Sequence, residues 1–119
     1  PVLDVRHFVG SRDFETSRDF YLALGWDVAY DDGGIAVLEL GGHRFYLQAF
    51  HQREWCENTM IHVQVTDAEA WYRRACEVVA DARFSGARAQ PPVRQDYGAW
   101  TCFVHDPAGV LIHFAQLDE

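Results

Sequence analysis

The sequence predicts an α+β fold made of two βαβββ modules whose curved sheets form a shared concavity. Three observations predict it. Strand-like and helix-like segments run in the same order twice. Each helix candidate opens on an aspartate, Asp13 and Asp67, and these lie 54 residues apart in a chain of 119. The strand candidates are divided by Gly33-Gly34, by Gly41-Gly42 and by Asp106-Pro107-Ala108-Gly109. We read residues 1–119 as one domain, with repeat one over about residues 1–55 and repeat two over about residues 58–119.

Residues 2–10 alternate loosely and are rich in Val and Phe, which fits a strand. Asp13 then caps a helix whose first turn carries Glu15, whose apolar stripe is Phe14, Tyr21, Leu22 and Leu24, and which Gly25 ends. Strands follow over residues 27–30, 35–40 and 44–50. The second repeat begins with a strand over residues 60–65, then a helix from the cap Asp67 over residues 68–79, with Trp71, Ala75 and Val78 on its buried stripe. A variable stretch through Gly86 and Pro91-Pro92 leads to strands over residues 100–105 and 110–116.

Each sheet has one face under its helix, necessarily apolar, and one face turned to the concavity, and strand side chains alternate between the two. Ile61, Val63 and Val65 form one apolar set, so His62 and Gln64 face the hollow. Val110, Ile112 and Phe114 form another, which turns Leu111 and His113 the same way. Aligning Gly42 with Gly109 equates Tyr46 with His113 and puts Gln48 further along that face, with Phe45 and Leu47 in the core. The cap alignment equates Phe8 with His62, so Arg6, Phe8 and Gly10 face the hollow and His7 faces the helix, unless a bulge or register slip reverses strand one.

The formal charge of −8 repels phosphate backbones and anionic lipid and draws in cations, which argues against a nucleic-acid partner. No segment approaches the roughly 18 apolar residues of a membrane span, and the basic-then-apolar layout of a secretory signal is missing, so the expectation is a cytoplasmic protein with no membrane partner. Cys56, Cys76 and Cys102 are odd in number, far apart and without a Cys-x-x-Cys pair, which reads as packed free thiols.

The run Asp13-x-x-x-Ser17-x-x-Phe20-Tyr21-x-x-Leu24-Gly25-Trp26 resembles the opening helix signature of the vicinal oxygen chelate superfamily, which holds glyoxalases, extradiol dioxygenases and bleomycin-resistance proteins. The ending from His105 through Asp106-Pro107-Ala108-Gly109 to His113-Phe114 resembles its last hairpin. Asn58-Thr59 and Val65-Thr66-Asp67 extend the likeness over nearly the whole chain and are most similar to the bleomycin-resistance branch. That resemblance implies a metal-free binding protein, a homodimer that exchanges its N-terminal strand or docks side by side, and an aromatic, cationic antibiotic held in grooves at the dimer interface. A position often Trp in the branch is His62 here, and its Trp-Gly appears as Tyr97-Gly98, followed by Trp100.

The superfamily's enzymes hold one divalent ion with four side chains, and those positions fall here at Arg6, Gln48, Met60 and His113. Arg6 cannot ligate, Met60 is a soft thioether, and no carboxylate is among the four. The expectation is therefore no cofactor and no catalytic residue, with small-molecule binding by Phe8, Tyr46, Gln48, Trp55, His62, Trp100 and His113. The alternative is a metal-dependent lyase or dioxygenase that holds one divalent ion with His7, Gln48, His62 and His113. His43, His51 and His105 read as turn or loop residues, and Trp26 and Trp71 as packing.

Overall fold

A computed structural model describes residues 1–118 of the chain. The first sheet joins β1 (Phe8–Gly10), β2 (Asp27–Asp31), β3 (Ile35–Leu40) and β4 (His43–Gln48) in the order β1-β4-β3-β2. The second joins β5 (Met60–Gln64), β6 (Arg88–Ala89), β8 (Ala99–His105) and β9 (Leu111–Leu117) in the order β5-β9-β8-β6, and β7 (Val93–Gln95) also pairs with β8. In each sheet the first and last strands run parallel and the rest antiparallel. The fold is α+β with two sheets, as expected.

Both helices start where their aspartates predict. In α1 (Phe14–Leu24), the Asp13 carboxylate accepts from the Thr16 N–H at 3.1 Å, and in α3 (Ala68–Val79), Asp67 accepts from Ala70 N–H at 3.1 Å. Gly25 ends α1 at φ 130°, a backbone state that suits a residue without Cβ. The α1 stripe needs correction: Phe14, Ser17, Phe20, Tyr21 and Leu24 are buried, whereas Leu22 is 39% exposed. One step past Tyr21 turns a side chain by about 100° around the helix, away from the sheet.

The core lies on the helix side of both sheets and is continuous between them. Val9, Phe45 and Leu47 of the first sheet and Ile61, Ile112 and Phe114 of the second belong to one cluster with Phe20, Tyr21 and Leu24. Trp71 of α3 stacks on Phe114 with ring centres 4.6 Å apart, and Trp26 reaches Phe114 from the other module at 6.2 Å. Asp106 is fully buried in the turn between β8 and β9. Its carboxylate accepts from Tyr21 Oη at 2.8 Å and from the N–H groups of Ala108 and Val110, which fixes α1 to that turn. Burial pushes the Asp106 carboxyl above the usual carboxylate range, against these hydrogen bonds, and raises the Tyr21 hydroxyl as well.

Strand one is shorter than the sequence suggests. Its ladder with β4 pairs Phe8 with Tyr46, Val9 with Leu47 and Gly10 with Gln48, and the His7 carbonyl accepts from Tyr46 N–H. Upstream, the Asp4 carboxylate accepts from Val5 N–H and from Arg6 Nε, both at 2.8 Å, which takes the backbone out of the strand and leaves Val2, Leu3 and Val5 exposed. A further helix, α2 (Arg53–Asn58), links the modules across the stretch 55–58 that separates the two expected repeats. Among the described residues no helix is long and apolar enough to cross a membrane.

Candidate functional site

The open faces of the two sheets carry equivalent rows of different chemistry. On the first sheet, the register places Phe8 beside Tyr46, Tyr46 beside Val37, and Val37 beside Tyr30. The Phe8 and Tyr46 rings are stacked, with centres 4.9 Å apart and planes 21° apart. Phe8 is 55% and Tyr30 52% exposed while Val37 between them is buried, so the row offers two exposed aromatic side chains, one at each end. Arg6 covers one end: its guanidinium lies 5.4 Å from the Tyr46 ring centre, donates to Tyr46 Oη and pairs with Asp4. A bulge between Val28 and Tyr30 brings Tyr30 opposite Val37.

On the second sheet the same positions hold imidazoles. His62 pairs with His113, and His113 with Phe103. The two imidazole centres are 5.9 Å apart, and Phe103 meets His113 edge-on at 4.9 Å. Burial, and secondarily the nearby His62, holds His113 below the ordinary histidine range, which favours the uncharged ring. Its Nε2 atom is buried without a hydrogen-bond partner among the described residues. His105, read from sequence as a solvent-facing turn residue, ends β8 half-buried, and burial lowers its basicity too.

The parity assigned to Phe8, Tyr46, Gln48, His62 and His113 agrees with the register. Gln48 flanks the aromatic row between Gly10 and Ile35. His7 lies on the helix side, stacked 5.6 Å from the core ring Phe45. Two expected members are elsewhere. Trp100 pairs with Gln116 and shares the parity of the buried Cys102 and Val104, so its ring, 45% exposed, leaves the helix-side face of β8 near the start of α3. That signal was readable in the alternation of residues 100–105. Trp55 is on α2, 63% exposed and against Phe50, outside both rows. Phe103 and Tyr30 complete the rows without having been expected; alternation gives Phe103 away, whereas nothing in the sequence announces the bulge.

The alternative ligand set His7, Gln48, His62 and His113 is not assembled within the chain, because His7 is on the helix side and Gln48 on the other sheet. The four superfamily positions fit no metal centre either: the Arg6 guanidinium is engaged by Asp4 and Tyr46, and Met60 is an exposed thioether. Among the described residues, no group of three or more His, Cys, Asp or Glu side chains is placed to hold a metal ion. No aromatic contact joins the Phe8–Tyr46 pair to the His62–His113 pair within the chain. A cleft of about 700 Å³ does open at the junction of the modules, floored by Trp26 and Trp71 and walled by Phe45, Ile61 and Val63, with His7 and His62 among its lining.

Two sheets with a parallel first-to-last pair, each backed by one helix, define the glyoxalase and bleomycin-resistance type of fold. The whole chain superimposes on a bleomycin-binding protein from Streptomyces verticillus solved with copper(II)-bleomycin, at TM-score 0.79 and 23% identity, covering 100% of this chain and 98% of that one. A bleomycin resistance determinant encoded on the transposon Tn5 matches at TM-score 0.78 and 23% identity, over 98% and 99% of the two chains. A lactoylglutathione lyase from Agrobacterium tumefaciens matches at TM-score 0.70 and 12% identity, over 98% and 95%. At these identities the likeness establishes the fold. No protein-family pattern and no curated protein matches the sequence.

Proposed function

We propose that the chain is a cytoplasmic binding protein that sequesters a planar aromatic or cationic small molecule, of the kind antibiotics supply, without chemistry and without a cofactor. The observation that carries this reading is the Phe8–Tyr46 stack on a solvent-open sheet face. A ligand ring placed against the exposed Phe8 ring extends the stack and gains about 0.5–1.5 kcal/mol per aromatic contact beyond the area it buries, and the charge of −8 favours a cation. The bleomycin-binding fold neighbours support the same class of ligand. In this reading two copies form a homodimer in which the aromatic row of one faces the imidazole row of the other, closing a hollow with Tyr46, Gln48, His62 and His113 in its walls.

Titration with a panel of planar aromatic cations such as proflavine, followed by tryptophan fluorescence and calorimetry, tests it. Saturable quenching that weakens with salt, and at least about tenfold weaker binding by Tyr46→Ala, equivalent to about 1.4 kcal/mol, is the expected result. Absence of binding across the panel at low salt overturns it. The lyase-type neighbour favours a second reading, a metal-dependent lyase or dioxygenase. Our reading expects well under one equivalent of metal in protein purified without added ion, and stoichiometric retained metal together with turnover would replace it.

A further inference from the structure

We infer that the cleft at the junction of the modules binds a short, extended, apolar peptide with a free carboxylate, at a site distinct from the aromatic row and independent of the sequestration reading. Two unpaired strand edges line it. β5 is the last strand of its sheet. Odd-numbered residues serve its ladder: the Thr59 carbonyl accepts from Leu111 N–H, and Val65 N–H donates to the Ala115 carbonyl. Backbone groups alternate in direction along a strand, so His62 and Gln64 turn their N–H and C=O away from β9, at the edge that lines the cleft. On the other module, Tyr46 N–H donates to the His7 carbonyl, so Arg44, two residues earlier, turns its N–H and C=O to the same side. β1 starts only at Phe8, opposite Tyr46, and among the described residues no backbone group bonds Arg44 on that side.

An extended segment satisfies an open strand edge with its own amides, while alternate side chains settle on whatever lies beneath. Beneath these edges lie Trp26, Trp71, Phe45 and Ile61. The volume of about 700 Å³ is within the range of about 300–1,000 Å³ that ligand pockets occupy. Charge selects the sign of the ligand. In a chain of charge −8, no Asp or Glu among the described residues lines the cleft, whereas Arg44, His43 and His7 do. Arg44 pairs with Glu39 through Nε, and its two terminal nitrogens have no partner among the described residues, which leaves donors for a carboxylate. The first residues of the chain are held elsewhere: Arg6 lies over the Tyr46 ring and donates to its Oη on the open face, and none of residues 1–6 lines the cleft.

The test is titration of the full chain with acetyl-valyl-leucyl-valine, followed by calorimetry and by the backbone amide resonances. Saturable binding is expected, with the amides of Arg44, His62 and Gln64 shifting together. Methylating the central amide nitrogen of the peptide removes a donor, and amidating its carboxylate removes its charge. Each change is expected to weaken binding by about threefold to tenfold, the size of one hydrogen bond. Gln64→Pro removes an edge N–H that the ladder to β9 does not use, and is expected to weaken binding by a similar factor in folded protein. Equal binding of the methylated peptide, shifts confined to Phe8 and Tyr46, or no saturation at millimolar concentration overturns the site. Binding that appears only after Val2→Asp with Leu3→Asp would give the cleft to the first residues of a second copy, and so overturns it too. Dye binding without peptide binding would sink this site and leave the sequestration reading standing.

Discussion

Tyr21 and Asp106 show how one pair of side chains fixes the relation of the modules. Tyr21 is on the first helix and Asp106 in the last turn, 85 residues later, and both are buried. Removing the hydroxyl leaves a desolvated carboxylate oxygen one donor short. Tyr21→Phe is therefore expected to destabilise the protein by about 1.5–3 kcal/mol, the range for hydrogen bonds to charged groups. Urea unfolding measures it; a change below about 0.5 kcal/mol would mean that water replaces the lost donor. At this scale the open-face residues were legible wherever neighbouring residues had an unambiguous apolar set. Ile61 and Val63 fix where His62 points, and Ile112 and Phe114 fix His113. Trp100 entered the expected set on its aromatic character, whereas the parity it shares with Cys102 and Val104 places it on the other face from His62 and His113.

Elements were legible where local chemistry decides them and less so where a partner decides them. Both helix starts follow from a single aspartate each. The length of strand one does not follow from its own residues. By the register, β4 begins opposite residue 5, so residues 1–4 have no strand to pair with in the chain, whatever their alternation. Helix α2 is likewise set by what it leans on. A Cβ added at Gly10 would meet the Phe50 carbonyl oxygen at 2.7 Å and Cys56 Sγ at 3.0 Å, so β1 and α2 approach as closely as they do because that residue is glycine. Gly10→Ala is expected to cost about 1–3 kcal/mol through displaced backbone, seen as a lower urea midpoint with an altered Trp55 environment. A silent Gly10→Ala would mean that the link between modules yields easily.

For the whole molecule, the division of labour between the two sheet faces is the governing fact. The helix-side faces meet in one shared core, which leaves both open faces to solvent with Phe8, Tyr30 and Met60 exposed on them. The proposed homodimer is expected to sediment at about twice 13.6 kDa at micromolar concentration. A purely monomeric chain would require a ligand to be held by one sheet alone. On the open face of the first sheet, the place of Tyr30 depends on how β2 absorbs one extra residue. Because the bulge absorbs one residue between Val28 and Tyr30, a chain lacking Ala29 would still present the phenol of Tyr30 outward. One lengthened there by another residue would turn it under the helix. In this strand, counting matters more than composition: an insertion would reshape the aromatic row where the loss of Ala29 and most exchanges of side chain would not.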